Sequence, residues 1–190
     1  MSPRTEMEYE RLRMERRNHI MDVALGLFAE EGYHQTSISK IATSASISKG
    51  LIYNYFESKE ALLQSIIEKG LELFSGSFDP DRDEILNDEE FGFLIEETFH
   101  IIRKNQQFLR LYMSVMAQPE VLRLVQSRFE AFYDFFIRIL SNYFASKGKD
   151  NPRAEARLFG AFWDGMILHY LVFKDYPLEE TKQVLIKRFK

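Results

Sequence analysis

Lys49, Leu51 and Asn54 fall within the run Ser48-Lys49-Gly50-Leu51-Ile52-Tyr53-Asn54-Tyr55-Phe56, and they point away from its apolar positions. Ile52 and Phe56 are four residues apart and share one face of a helix. Packing them inward leaves a cation, an apolar side chain and a carboxamide on the outside. A short helix with such an outer face suits the floor of a DNA major groove. Glu31 to His34 and Glu97 to His100 each have Glu-x-x-His spacing, which on facing helices, with two further Glu, can hold a di-iron centre. Gly32 interrupts the first pair at a helix end, so no metal site is expected. His100 and His169 read as hydrogen-bonded core or pocket histidines. No glycine-rich phosphate loop, nucleophile elbow or zinc motif is present, so no enzyme activity and no cofactor are expected.

The elements that position Lys49 to Asn54 are readable on either side. Ile38, Ile41 and Ala42 form an apolar stripe on a short helix, with Thr36 or Ser37 as its cap. Thr43-Ser44-Ala45-Ser46 is small and polar and suits a turn, with Ile47 as an apolar anchor. Ser48 caps a second short helix over Lys49–Tyr55, and Ser58 caps a third that runs to about Ser75. Upstream, Ile20, Val23, Ala24, Leu27 and Phe28 define a packing helix that ends at Gly32. Charges alternate in sign over Glu10–Arg17, which reads as a salt-bridged helix start or as a basic arm for phosphate or minor groove. Residues 1–9 show no periodicity and are expected to fray.

Composition sets limits. The 190-residue chain is 45% hydrophobic with nine Gly and five Pro, which favours a compact helical protein. It has no cysteine, which excludes disulfides and thiolate chemistry and fits a cytoplasmic location. No signal peptide is recognised, and Leu158–Phe173, the most apolar stretch, contains Asp164 and His169 and is too short to span a bilayer. No membrane partner is expected. The net charge is −4, and residues 1–60 hold eight Lys and Arg against nine Asp and Glu. Any DNA affinity must therefore come from where the cations stand and not from bulk charge.

The run Ser75–Asp81 breaks the helical pattern. Five further helices are expected at about 83–104, 105–117, 119–146, 152–174 and 177–189. They are densely aromatic. The rings read as core or as the walls of a cavity for an apolar or aromatic ligand, with Met113 and Met116 as adaptable neighbours. Ala156, Phe159, Gly160, Trp163, Ile167 and Tyr170 lie on one side of a long helix, and Val184, Leu185 and Phe189 on one side of the last. They read as intramolecular core or as an interface.

Ile41-Ala42, then Ile47-Ser48-Lys49-Gly50-x-Ile52-Tyr53-x-Tyr55-Phe56, then Ser58-Lys59-Glu60-x-Leu62-Leu63, resembles the signature of the TetR family of bacterial transcriptional regulators. The family more often has His at the position of Tyr55. The resemblance covers about the first third of the chain. It implies an all-α protein of about nine helices: a three-helix helix-turn-helix head in residues 1–57, with an arm in 1–9, and a helical ligand-binding and dimerisation domain in 58–190. It implies a homodimer on a pseudo-palindromic double-stranded operator, most often a repressor released by an unidentified small effector. With geometry, it points to Lys49 at a guanine edge or a phosphate, to Gly50 at the backbone or a thymine methyl, to Leu51 and Asn54 at the bases, to Tyr53, Tyr55 and Lys59 (with Ser58 at its helix N-terminus) at phosphates, and to Ser37 and Ser39 as supporting contacts, with the cap Ser48 in the same DNA-binding set. It favours Phe93, His100, Tyr112, Met113, Met116, Phe132, Phe136 and Trp163 as pocket residues, and the two C-terminal stripes as a four-helix dimer interface. The competing readings are a helical small-molecule binding protein or enzyme with an incidental helix-turn-helix, and a regulator switched by a protein partner.

Overall fold

The computed structural model describes residues 6–78, 83 and 85–189. Among them it holds nine α-helices and no strand. They are α1 (Glu6–Glu31), α2 (Ile38–Ser44), α3 (Lys49–Tyr53), α4 (Lys59–Phe78), α5 (Asp88–Lys104), α6 (Gln106–Met116), α7 (Pro119–Ser146), α8 (Pro152–Val172) and α9 (Leu178–Phe189). The all-helical expectation of about nine helices is met.

Local chemistry explains most boundaries. α1 buries Ile20, Met21, Ala24 and Phe28 and stops at Gly32, whose φ of 86° few other residues adopt. Pro119 and Pro152 start α7 and α8, where a missing N–H costs nothing. Asn87 and Glu90 form a reciprocal capping box that starts α5 at Asp88, later than the expected 83. Three expectations are corrected. Residues 6–9 belong to α1. α3 closes after Tyr53 and not at Tyr55. α4 runs through Ser75-Gly76-Ser77 to Phe78, because a single glycine costs a long helix only about 1 kcal/mol. The expected break at Asp79-Pro80-Asp81, and residues 1–5 of the expected arm, lie outside the described residues.

The helices share one continuous core. α1, α2 and α3 close around Ile20, Phe28, Ile41 and Ile52. α7 packs along α8 and α4, and α6 bridges α1 to α7 and α8. Phe159 sits among aromatic rings: Phe91, Phe136, Phe144, Trp163 and Phe189 lie with centroids 5.2 to 6.4 Å away.

Candidate nucleic-acid interface and internal cavity

The turn between α2 and α3 is built by backbone and hydroxyls. Ser37, and not the buried Thr36, caps α2: its hydroxyl accepts the Lys40 N–H at 3.1 Å. Ser46 takes φ 55°, the left-handed form, and lets the Ile47 N–H reach the Ala42 carbonyl at 3.0 Å. The Ser48 hydroxyl then caps α3 through the Leu51 N–H at 3.2 Å. Ile52 is fully buried and Phe56 nearly so. Holding those two residues inward leaves Lys49, Gly50, Tyr53 and Asn54 exposed on the opposite side. A Cβ at Gly50 would meet nothing within 4 Å, so this face is open to close approach. Ser37, Ser39 and Ser48 are also exposed, while Leu51 is half-buried at the edge.

Two of the expected phosphate contacts have structural employment. Tyr55 is half-buried against the core. Lys59 donates to the carbonyls of Tyr33 and Thr36 at 2.8 and 2.9 Å, and its ammonium lies 4.2 Å from the Tyr33 ring centroid. Burial lowers its pKa. Lys59 therefore ties the start of α4 to the loop after α1, which the sequence reading missed. Arg17 is likewise internal bracing, bonded to Ser65 Oγ at 3.0 Å and lying 5.0 Å from the Phe56 ring centroid. Arg11 pairs with Glu15 one turn on, as alternating charge suggested.

Helices α4 to α8 line a half-open cavity of about 560 Å³, the size of a drug-like ligand site. Of the expected pocket residues, Tyr112, Met116, Phe132, Phe136 and Trp163 line it. Met113 is half-buried outside the lining. Phe93 and His100 are corrected: both stand exposed on the outer face of α5, whose inner face is Phe91, Leu94, Ile95, Thr98, Phe99 and Ile102. His169 is also exposed, edge-on to Phe173. Residues not singled out for the pocket complete the wall, among them Phe108, Thr98, Arg157 and Asp164. The Tyr112 hydroxyl donates to Asp164 Oδ1 at 2.9 Å. Burial, and then the neighbouring carboxylate, raises the Tyr112 pKa. Burial also raises Asp164, against the lowering effect of that hydrogen bond. The Thr98 hydroxyl is buried without a hydrogen-bond partner.

The expected interface stripe is corrected too. Ala156, Phe159, Trp163, Ile167 and Leu185 are buried within the subunit, and Gly160 packs on Phe136. Tyr170 and Phe189 are half-buried against the same core, and only Val184 is well exposed. The outward face of α8 instead carries Leu158, Ala161, Gly165, Leu168 and Val172, all exposed, with Ala161 also at the edge of the cavity. Among the described residues no group of three His, Cys, Asp or Glu is placed to hold a metal, and no described helix is long and apolar enough to cross a membrane.

Residues 20–66 match the family model described as bacterial regulatory proteins, tetR family. The chain is 28% identical over 131 residues to the uncharacterized helix-turn-helix-type transcriptional regulator YvdT of Bacillus subtilis, covering 67% of this chain and 66% of that one. It is 33% identical over 84 residues to the fatty acid metabolism regulator protein of Bacillus subtilis, covering 44% and 43% of the two chains. These alignments thus span just under two thirds and under half of the relatives. The crystal structure of the Bacillus subtilis transcriptional regulator FadR in complex with stearoyl-CoA superposes with a TM-score of 0.73 over 90% of this chain and 96% of that one. At 22% identity this likeness shows the fold. The matched region is the one built around Ser46, Ile52 and the exposed α3 face, and over residues 20–66 the chain carries the DNA-binding region of the tetR family of bacterial regulatory proteins.

Proposed function

We propose that the protein is a homodimeric, sequence-specific transcriptional regulator, a repressor whose operator affinity falls when a small apolar or aromatic ligand occupies the α4–α8 cavity. The observation that carries this reading is the exposed α3 face, with Lys49, Gly50, Tyr53 and Asn54 outward and Ile52 fully buried behind them. In that pose Lys49 reaches a guanine edge or phosphate, Asn54 and Leu51 read bases, and Tyr53 donates to a phosphate. Ser37, Ser39, Ser48 and Gly50 set the close approach. Lys59 and Tyr55 support the head and do not lead the contact. The reading divides the chain into a head in residues 1–57 and an effector and dimerisation part in 58–190.

The outer stripe of α8 supports the dimer. Leu158, Ala161, Gly165, Leu168 and Val172 recur at alternating spacings of three and four, opposite the buried stripe. A helix apolar on both sides is stable in water when both sides are covered. A second copy placing its α8 there covers the exposed side. The paired heads would enter successive major grooves about 34 Å apart.

The effector step follows from shared walls. α4 begins at the head and reaches the cavity through Leu71 and Phe74. A ligand favouring one spacing of the heads shifts operator affinity by its differential affinity for the two states. The stearoyl-CoA held by the Bacillus subtilis neighbour favours a second ligand reading, a long acyl chain.

Selection of bound sequences from random duplex DNA at about physiological salt tests the function, because phosphate contacts make affinity steeply salt-dependent. The expected result is a palindrome enriched by the wild type and lost by a Lys49→Ala/Tyr53→Phe variant. No enrichment, or equal enrichment by the variant, contradicts the reading.

A further inference from the structure

Asp164 stands in the cavity wall as an acid without a cation. Among the described residues it makes no ion pair, and its one hydrogen bond comes from the Tyr112 hydroxyl. Arg157 lines the same cavity from the same helix, but seven residues earlier, which is about 10 Å along an α-helix. At that separation it does not pair with Asp164. Glu130, the other charged residue in the lining, is an acid whose carboxylate already accepts the Gln126 side chain at 2.7 Å. The remaining wall is mostly apolar, with Trp163, Phe129 and Phe132 among its aromatic rings. Aromatic faces attract cations, more so where water is excluded. An independent polar signal comes from another helix of the wall, α5. The Thr98 side chain is 4% exposed and lines the cavity, and its hydroxyl oxygen has no partner in the protein. A buried hydroxyl left unpaired costs stability, so its retention points to a ligand group that pairs with it.

We propose that the effector of this cavity is a hydrophobic cation, an apolar body bearing a protonated nitrogen that donates to Asp164, with the aromatic walls around the charge and the Thr98 hydroxyl as a second polar anchor. This rests on the reading of the cavity as the effector site. A carboxylate or acyl-phosphate end placed at Asp164 meets like charge, whereas an ammonium there gains a charge-assisted hydrogen bond. Burial, which holds the Asp164 carboxyl above its ordinary range, makes an incoming cation more favourable still.

The test is competition against the neutral fluorescent probe N-phenylnaphthylamine, with quenching of Trp163, the only tryptophan in the chain, as a second readout in the cavity wall. The competitors are decylammonium, decanol and decanoate, each below its micellar range, and decanoyl-CoA. The expected order places decylammonium at least about tenfold tighter than decanol, and decanoate weakest. Asp164→Asn is expected to erase the ammonium-over-alcohol preference, and Thr98→Val to weaken decylammonium. Tighter binding of decanoate or decanoyl-CoA than of decylammonium overturns the cation and leaves the cavity reading intact. A preference that survives Asp164→Asn also overturns it. Failure of the probe and of all four competitors to bind overturns both.

Discussion

The Phe108 ring lies directly on the backbone of Gly70, so closely that a Cβ on Gly70 would stand 1.9 Å from Phe108 Cε2. Phe108 belongs to α6 and lines the cavity; Gly70 belongs to α4, whose first turn Lys59 ties to the loop of the head. The other side of α6 packs on α1, where a Cβ on Gly26 would lie 3.8 Å from the Gln107 amide. A ligand that moves Phe108 therefore pushes on both helices that carry the head.

Gly70→Ala reverses the usual sign for a helix. An interior Gly-to-Ala change gains about 1 kcal/mol where space allows. Here the methyl collides with Phe108, and overpacking is expected to cost about 1–3 kcal/mol net. Phe108→Leu in the same chain restores part of the loss. Urea unfolding of the two single variants and the double variant measures this; additivity contradicts the contact.

Lys59→Met is expected to destabilise by about 1–3 kcal/mol, because the Tyr33 and Thr36 carbonyls lose a charged donor. Thermal unfolding reads it. A change within experimental error means that the ammonium serves DNA and not the fold.

Ser46→Gly is expected to stabilise the chain by roughly 0.5–1 kcal/mol, since Ser46 holds φ 55° and glycine adopts that conformation without strain. A decrease in denaturation midpoint contradicts it.

How much could be read in the sequence differs by region. The head was legible because Ile38, Ile41, Ile52 and Phe56 are all decided within 20 residues, and Ser37, Ser48 and Ser58 cap locally. The limits of α7 followed from Pro119 and from the break at Gly148 to Pro152. The cavity was half legible. Tyr112 and Trp163 were recognisable as aromatic, but Thr98, Arg157 and Asp164 join them only because α5, α6 and α8 converge. Phe93 misled because it is one of two phenylalanines two apart on α5, and the helix buries Phe91 instead. α8 carries apolar residues on opposite sides, so periodicity could not say which side faces inward. The role of Lys59 was hidden because its partners are carbonyls 23 and 26 residues upstream.

Leu168→Glu places a charge in the outer α8 stripe, where Leu168 is 48% exposed in the subunit. It is expected to leave the subunit folded and to convert a dimer to a monomer in light scattering. A dimer that survives Leu168→Glu and Leu158→Glu places the interface elsewhere.

Asp164 gives a pH signature. Its folded pKa lies above the ordinary 3.8 because of burial. The folded state therefore binds its proton more tightly than the unfolded chain, and the ionised form costs stability. Its contribution improves as pH falls from above the folded value towards 3.8. Tyr112 from α6, Glu130 and Tyr133 from α7 and Arg157 from α8 line the same cavity, and they are held constant by comparing single variants. Asp164→Asn is expected to raise Tm at neutral pH and to flatten this slope between neutral pH and pH 4. An unchanged slope contradicts the assignment.

The coupling of cavity to head is tested most directly by titrating N-phenylnaphthylamine into the protein alone and into the protein saturated with its selected operator duplex. Linkage requires that the duplex weaken the probe by the same factor as the probe weakens the duplex, about 5–150-fold for ordinary allosteric coupling. Mutual weakening of that size is the predicted result. Probe binding with the same affinity in the presence and absence of operator would contradict the account, leaving a DNA-reading head and a cavity that do not communicate.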